Sequence, residues 1–230
     1  MLATFIIEFS FAIYTIWRYK LTTLTRLIAV ILFALGTFQL SEYLICGGLG
    51  LSHIDWARIG YSAITILPAV GIHIIVTLAN KKMPLLVGAA YATCAAFVVF
   101  YLFNTSSVTH EACYANYAVF SNHHGSGLPF GIYYYGWMII GTWLAWHWSK
   151  TISKRKVALR SMTLGYIAFI APTTFFNIID PSTVRGIPSI MCGFAVLLAF
   201  TLILKVLPNS ADKRVATNSQ VKASGNAPKA

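Results

Sequence analysis

Acidic side chains are nearly missing from this chain: Asp and Glu number 6 in 230 residues, and all charged types together reach only 10%. Soluble domains carry about 25% charged residues, so an ordinary water-bathed globule is excluded. With 57% hydrophobic residues, disorder of the whole chain is excluded as well. The 4 cysteines are too few for a disulfide-built scaffold. They include no Cys-x-x-Cys, which removes zinc ribbons and c-type haem attachment, and one bridge at most is expected. No His-Glu-x-x-His or intramembrane-protease pattern is present.

What the chain does have is long apolar runs, with a mean hydropathy of +0.70. Seven are separated by polar or basic breaks: Leu2–Trp17, Leu27–Cys46, Ala57–Ala79, Met83–Phe103, Phe130–Trp148, Ser161–Ile179 and Pro188–Leu207. A helix needs about 20 apolar residues to cross a bilayer, and the runs are continuous, unlike the alternating strands of about 10 residues in a barrel. The expected fold is all-α, a polytopic seven-transmembrane-helix bundle over residues 1–208, followed by a disordered basic tail over 209–230. The first run has no positive residues before it and no Ala-x-Ala site, so it reads as a retained helix and not a signal peptide. Seven spans do not divide into two equal halves, which speaks against an internally repeated transporter.

The net charge of +11 is explained by its distribution. With the N-terminus outside, Arg18, Lys20, Arg26, Lys81, Lys82, the Lys150 to Arg160 cluster, Lys205 and the tail lysines and arginine all fall on the cytoplasmic side, leaving Arg58 and Arg185 outside. This is the positive-inside pattern. It gives an N-out, C-in multi-pass protein of a bacterial inner membrane or plasma membrane. Its basic loops would meet anionic lipid headgroups, and no nucleic-acid partner is needed to account for the charge.

Polar groups inside the apolar runs are the candidates for function, because each is costly in hydrocarbon and tends to face the bundle interior. Gln39 and Glu42 are three apart and share a helical face. With Tyr61, His73 and Asn177 they either line a polar pocket for a ligand reaching the bundle from outside or hold the helices together. Glu8, Thr65, Thr173 and Thr174 belong to the same polar set. Pro68 leaves the Ile64 carbonyl without its helical partner and predicts a kink five residues before His73. The long connection from Asn104 to Pro129 holds His110, Cys113, His123 and His124, ligand types suited to zinc or copper but without a recognised metal spacing, so a solvated loop is the simpler expectation. A Cys46–Cys113 disulfide would pin that loop in an oxidising compartment, while Cys94 and Cys192 read as small apolar packers. Retinal binding needs a lysine in the middle of the last helix, and Lys205 stands at its end.

The stretch Asp55-Trp-Ala-Arg-Ile-Gly-Tyr-Ser-Ala-Ile-Thr-Ile-Leu-Pro68-Ala-Val-Gly-Ile-His73, running on to Asn80-Lys-Lys, resembles the third helix of the seven-helix N-terminal sensor region of bacterial histidine kinases. In that family a Trp-x-Arg-x-x-Tyr entry is followed by a proline and a polar exit. Trp56, Arg58, Tyr61 and Pro68 are the matching residues, and about 25 of the 230 residues carry the likeness. No kinase domain follows the seventh run. The resemblance implies a stand-alone sensor or receptor-like bundle that signals through a separate cytoplasmic protein, with no catalytic residue and no identified cofactor. Two alternatives stay open: a small-solute or proton transporter using Glu42 and His73, and a metal-dependent membrane enzyme using the loop histidines.

Overall fold

The computed structural model describes residues 1–105, 107–114, 117–122, 127–180 and 186–210. Its backbone is helical apart from one hairpin. The helices are α1 (Leu2–Arg18), α2 (Thr23–Gly47), α3 (His53–Leu78), α4 (Pro84–Phe103), α5 (Gly127–Thr151), α6 (Lys156–Ile179) and α7 (Ile187–Thr201), the last continued by a π-helical turn at Leu202–Val206. Each coincides with one of the seven apolar runs. The helices extend beyond the runs where polar residues cap them: the Thr22 hydroxyl accepts the Thr25 N–H at 3.3 Å and starts α2 four residues before Leu27.

The turn between α2 and α3 is fixed by its own chemistry. Gly48 takes φ +64°, where a side chain would be strained, and the Gly48 and Leu49 N–H groups return to the Ile45 and Leu44 carbonyls. Ser52 then caps α3 by accepting from the Asp55 N–H and donating to its carboxylate at 2.6 Å. Trp56 Nε1 donates to the Leu49 carbonyl at 2.9 Å, which ties α3 to the turn it leaves. Arg58 Nε donates to the Tyr101 carbonyl at 3.0 Å and its guanidinium also meets the Leu102 carbonyl, so this cation satisfies the exposed end of α4. At the other end of α3, Asn80 with φ 51° closes the helix.

α3 is the central helix. It packs against α2, α4, α5 and α6, while α1 and α2 close against α7. Within the apolar stretch of α3 78% of residues are buried, and in α4, which is more apolar still, only 17% are. An apolar helix that the protein leaves uncovered is suited to hydrocarbon, and the exposed Leu85, Phe103, Ile132, Trp143, Leu164 and Ile178 extend that surface around the bundle. Among the described residues five helices are long and apolar enough to cross a membrane, with mean hydropathies from 1.5 to 2.4, and together they mark a membrane-embedded protein.

The α4–α5 connection differs from the solvated loop expected of it. It folds into an antiparallel hairpin of β1 (Val108–Cys113) and β2 (Ala118–Asn122). The physical reason is apolar content: Val108, Ala118 and Phe120 are buried, and the Phe120 ring meets Phe38 of α2 and Tyr61 of α3. A disulfide between Cys46 and Cys113, with Cα atoms 5.8 Å apart, fastens the hairpin to the last turn of α2. The hairpin therefore covers the end of the bundle where α2, α4 and α6 finish, called here the hairpin end.

Candidate functional site

Beneath the hairpin lies a cavity of about 430 Å³ walled by α3, α5, α7 and β2. Tyr61 and Ile64 come from α3, Phe130, Tyr134 and Tyr135 from α5, Met191 and Cys192 from α7, and Phe120 from the hairpin. Gly127, Gly131, Ser121 and Pro188 also line it. The volume falls in the range of small-molecule sites, and a mostly apolar wall carrying several aromatic rings with a few polar tips is their usual composition. Tyr61 is edge-on to Phe120 and close to Tyr101 and Phe130, so the wall is a rigid set of interlocked rings. Deeper in, around Pro68, Tyr134, Tyr166 and Cys192, the free space falls to about 10 Å³, which makes a floor.

Behind the α7 wall are two buried carboxylates from different helices. Glu8 of α1 and Glu42 of α2 are 0% and 1% exposed, and among the described residues none of their oxygens has a hydrogen bond of normal geometry. The two side chains lie within electrostatic reach of each other, and Cys192, a wall residue of the cavity, lies within reach of both. Ser189 stands beside Glu42; its oxygen accepts the Ala118 N–H at 3.0 Å, so its own proton is left to point elsewhere. Gly36 of α2 faces α1: a Cβ there would make ordinary contact with Phe5 and Glu8 at 3.6 and 3.8 Å.

The residues singled out from the sequence are distributed unevenly. Gln39 and Glu42 share the α2 face toward α1, where Thr4 Oγ1 donates to Gln39 Oε1 at 2.9 Å. Tyr61 lines the cavity itself. His73 does not join them. Its Nδ1 lies 3.1 Å from the Tyr91 hydroxyl of α4. A Cβ on Gly60 would touch Ser41 at 3.3 Å, which sets the level of Glu42 on α3, and His73 lies 13 residues further on (73 minus 60). At 1.5 Å per residue that is about 20 Å, too far for one relay with Glu42. Asn177, in the last turns of α6, is half-buried and is not part of the cavity wall. Pro68 sits within α3, and one turn before it the Thr65 carbonyl receives the Tyr133 hydroxyl at 2.6 Å and the Cys94 thiol at 3.5 Å, so α5 and α4 meet the backbone where proline interrupts the ladder.

In the hairpin, His110 Nε2 lies 3.1 Å from Cys113 Sγ. Burial holds the His110 imidazole below the usual histidine range, with His53 nearby adding to the effect and a backbone hydrogen bond at Ala112 opposing it. His123 and His124 lie outside the described residues.

The aromatic wall has no local signature in the sequence, and Cys192, expected as an apolar packer, is buried and also lines the cavity. The rings of Tyr133-Tyr-Tyr and Phe120 are visible there, but nothing local says that they converge with α7. No known family, curated protein or solved structure matches the chain.

Proposed function

We propose that the chain is a receptor-like seven-span bundle, N-terminus outside and C-terminus cytoplasmic, that binds a small ligand from the outer side in the aromatic cavity under the hairpin. The cavity of about 430 Å³ is the observation that carries this reading. Its rings favour an apolar or aromatic ligand. Orientation is supported by charge: Arg18, Lys20, Arg26, Lys81, Lys82, Lys150, Lys154, Arg155 and Lys156 all stand at the helix ends away from the hairpin, while Arg58 is at the hairpin end. Signal would leave through those basic loops to a cytoplasmic protein, as the sensor-region resemblance of Trp56, Arg58, Tyr61 and Pro68 implies. The separation of His73 from Glu42 weighs against the proton-relay alternative.

The test exploits Gly131. A Cβ there has open space around it, and the residue lines the cavity, so Gly131→Phe fills the void without a backbone clash. Native mass spectrometry of the detergent-purified chain is expected to show a bound small molecule on the wild type and none on Gly131→Phe. Equal loading of the two proteins, or none on either after gentle extraction, would overturn the reading.

A further inference from the structure

We propose that in its dithiol state the hairpin end holds one thiophilic metal ion, of the zinc(II) or copper(I) class, between Cys46 Sγ, Cys113 Sγ and His110 Nε2. These three ligand atoms all lie within 4.8 Å of one another, Cys46 and Cys113 are exposed and His110 is half-exposed. Two thiolates with an imidazole are the donor set such ions select. This inference rests on none of the cavity's properties.

The geometry is produced by one irregularity in the hairpin. In a regular strand His110 and Cys113, three apart, would point to opposite faces. The β1–β2 register passes from His110↔Phe120 to Ala112↔Val119, so Glu111 is an extra residue on β1. A bulge of this kind shifts the alternation by one and brings the imidazole beside the sulfur at 3.1 Å. Cys46 is delivered by the last turn of α2, and the tight turn after it returns the chain to His53, whose ring meets that of His110 with centroids 5.9 Å apart. Among the described residues His53 is therefore the imidazole closest to the remaining position of a tetrahedral site. Zinc–sulfur and zinc–nitrogen bonds of about 2.3 and 2.0 Å place tetrahedral ligands roughly 3.5–3.8 Å apart, so the two sulfurs need to separate by only about 2 Å once their bond opens.

The disulfide and the metal exclude each other, and the exchange balances. Two equivalents of a small thiol supply two electrons and two protons: the Cys46–Cys113 bond breaks, both sulfurs become thiols, and the small thiol leaves as its own disulfide. The ion then binds as the two thiols release their protons. Cobalt(II) is the probe, because thiolate coordination gives it a near-ultraviolet charge-transfer band. The full chain in detergent, reduced with a phosphine, is expected to take up one cobalt per chain with that band, displaced by zinc, while the unreduced chain takes up none. Cys113→Ser removes the band, and His110→Ala weakens affinity at least about tenfold with helix content unchanged. Absence of the band from the reduced wild type, or an undiminished affinity in His110→Ala, would overturn the proposal. Cys94 and Cys192 are buried away from this site and do not supply the signal.

Discussion

Glu42 illustrates how a single residue can be unfavourable for folding and still belong in the molecule. Its two carboxylate oxygens are buried without a normal hydrogen bond, beside a second carboxylate in the same condition on α1. A buried carboxyl group without a normal hydrogen bond costs stability, and the amide of the same shape keeps the volume while offering both donors and an acceptor. Glu42→Gln is therefore expected to hold or raise the thermal midpoint of the purified protein by a few degrees; a large fall in the midpoint would make Glu42 a structural partner instead. Gly71 shows the opposite case, where packing leaves no room. A Cβ there would collide with the hydroxyl of Tyr166, which is itself 4% exposed. Gly71→Ala should cost about 1–3 kcal/mol in unfolding measurements, whereas Gly88→Ala, whose Cβ meets nothing within 4 Å, should cost far less. Equal effects at the two positions would contradict the α3–α6 packing.

Among the elements, the hairpin depends most on a covalent tie. Its buried contacts are few, chiefly Val108, Ala118 and Phe120, and the Cys46–Cys113 bond closes 67 residues of sequence between α2 and β1. In Cys113→Ser the seven helices should remain, since their packing does not pass through the bond, while proteolysis between residues 104 and 127 should accelerate clearly over the wild type. Unchanged cleavage would mean that Phe120 and its neighbours hold the hairpin unaided. The helices were legible in the sequence because each is one apolar run bounded by charged, polar or turn-forming residues, as Leu27–Cys46 is by Arg26 before it and the glycines Gly47 and Gly48 after it. The candidate Cys46–Cys113 pair was legible from position alone. The hairpin was hidden because its apolar residues are spaced among His, Glu, Asn and Ser, and the bulge at Glu111 hid the pairing of His110 with Cys113, since three-residue spacing in a strand reads as opposite faces.

For the molecule as a whole, the cavity exists because α3, α5 and α7, far apart in sequence, meet under β2. Gln39 and Glu42 were visible because they interrupt an apolar run, but the rings of Phe130 and Tyr134 look like any membrane helix until α5 is placed against α3 and α7. Glu8 and Glu42 become a pair only through the antiparallel register of α1 on α2. An N-out, seven-span orientation turns this cavity toward the outside, and cysteine accessibility tests both statements together. Gly131 and Gly136 both have open space at Cβ, but Gly131 lines the cavity while Gly136 lies on the apolar outer groove with Leu128, Ile132 and Ile140. The most direct measurement is labelling of Gly131→Cys and Gly136→Cys, each made in a Cys192→Ala background, by a charged, membrane-impermeant methanethiosulfonate added to the outside of intact cells. Labelling at residue 131 and none at 136 is the expected result; an inert residue 131, or one labelled only when the reagent reaches the cytoplasmic face, would contradict an outward-opening ligand cavity.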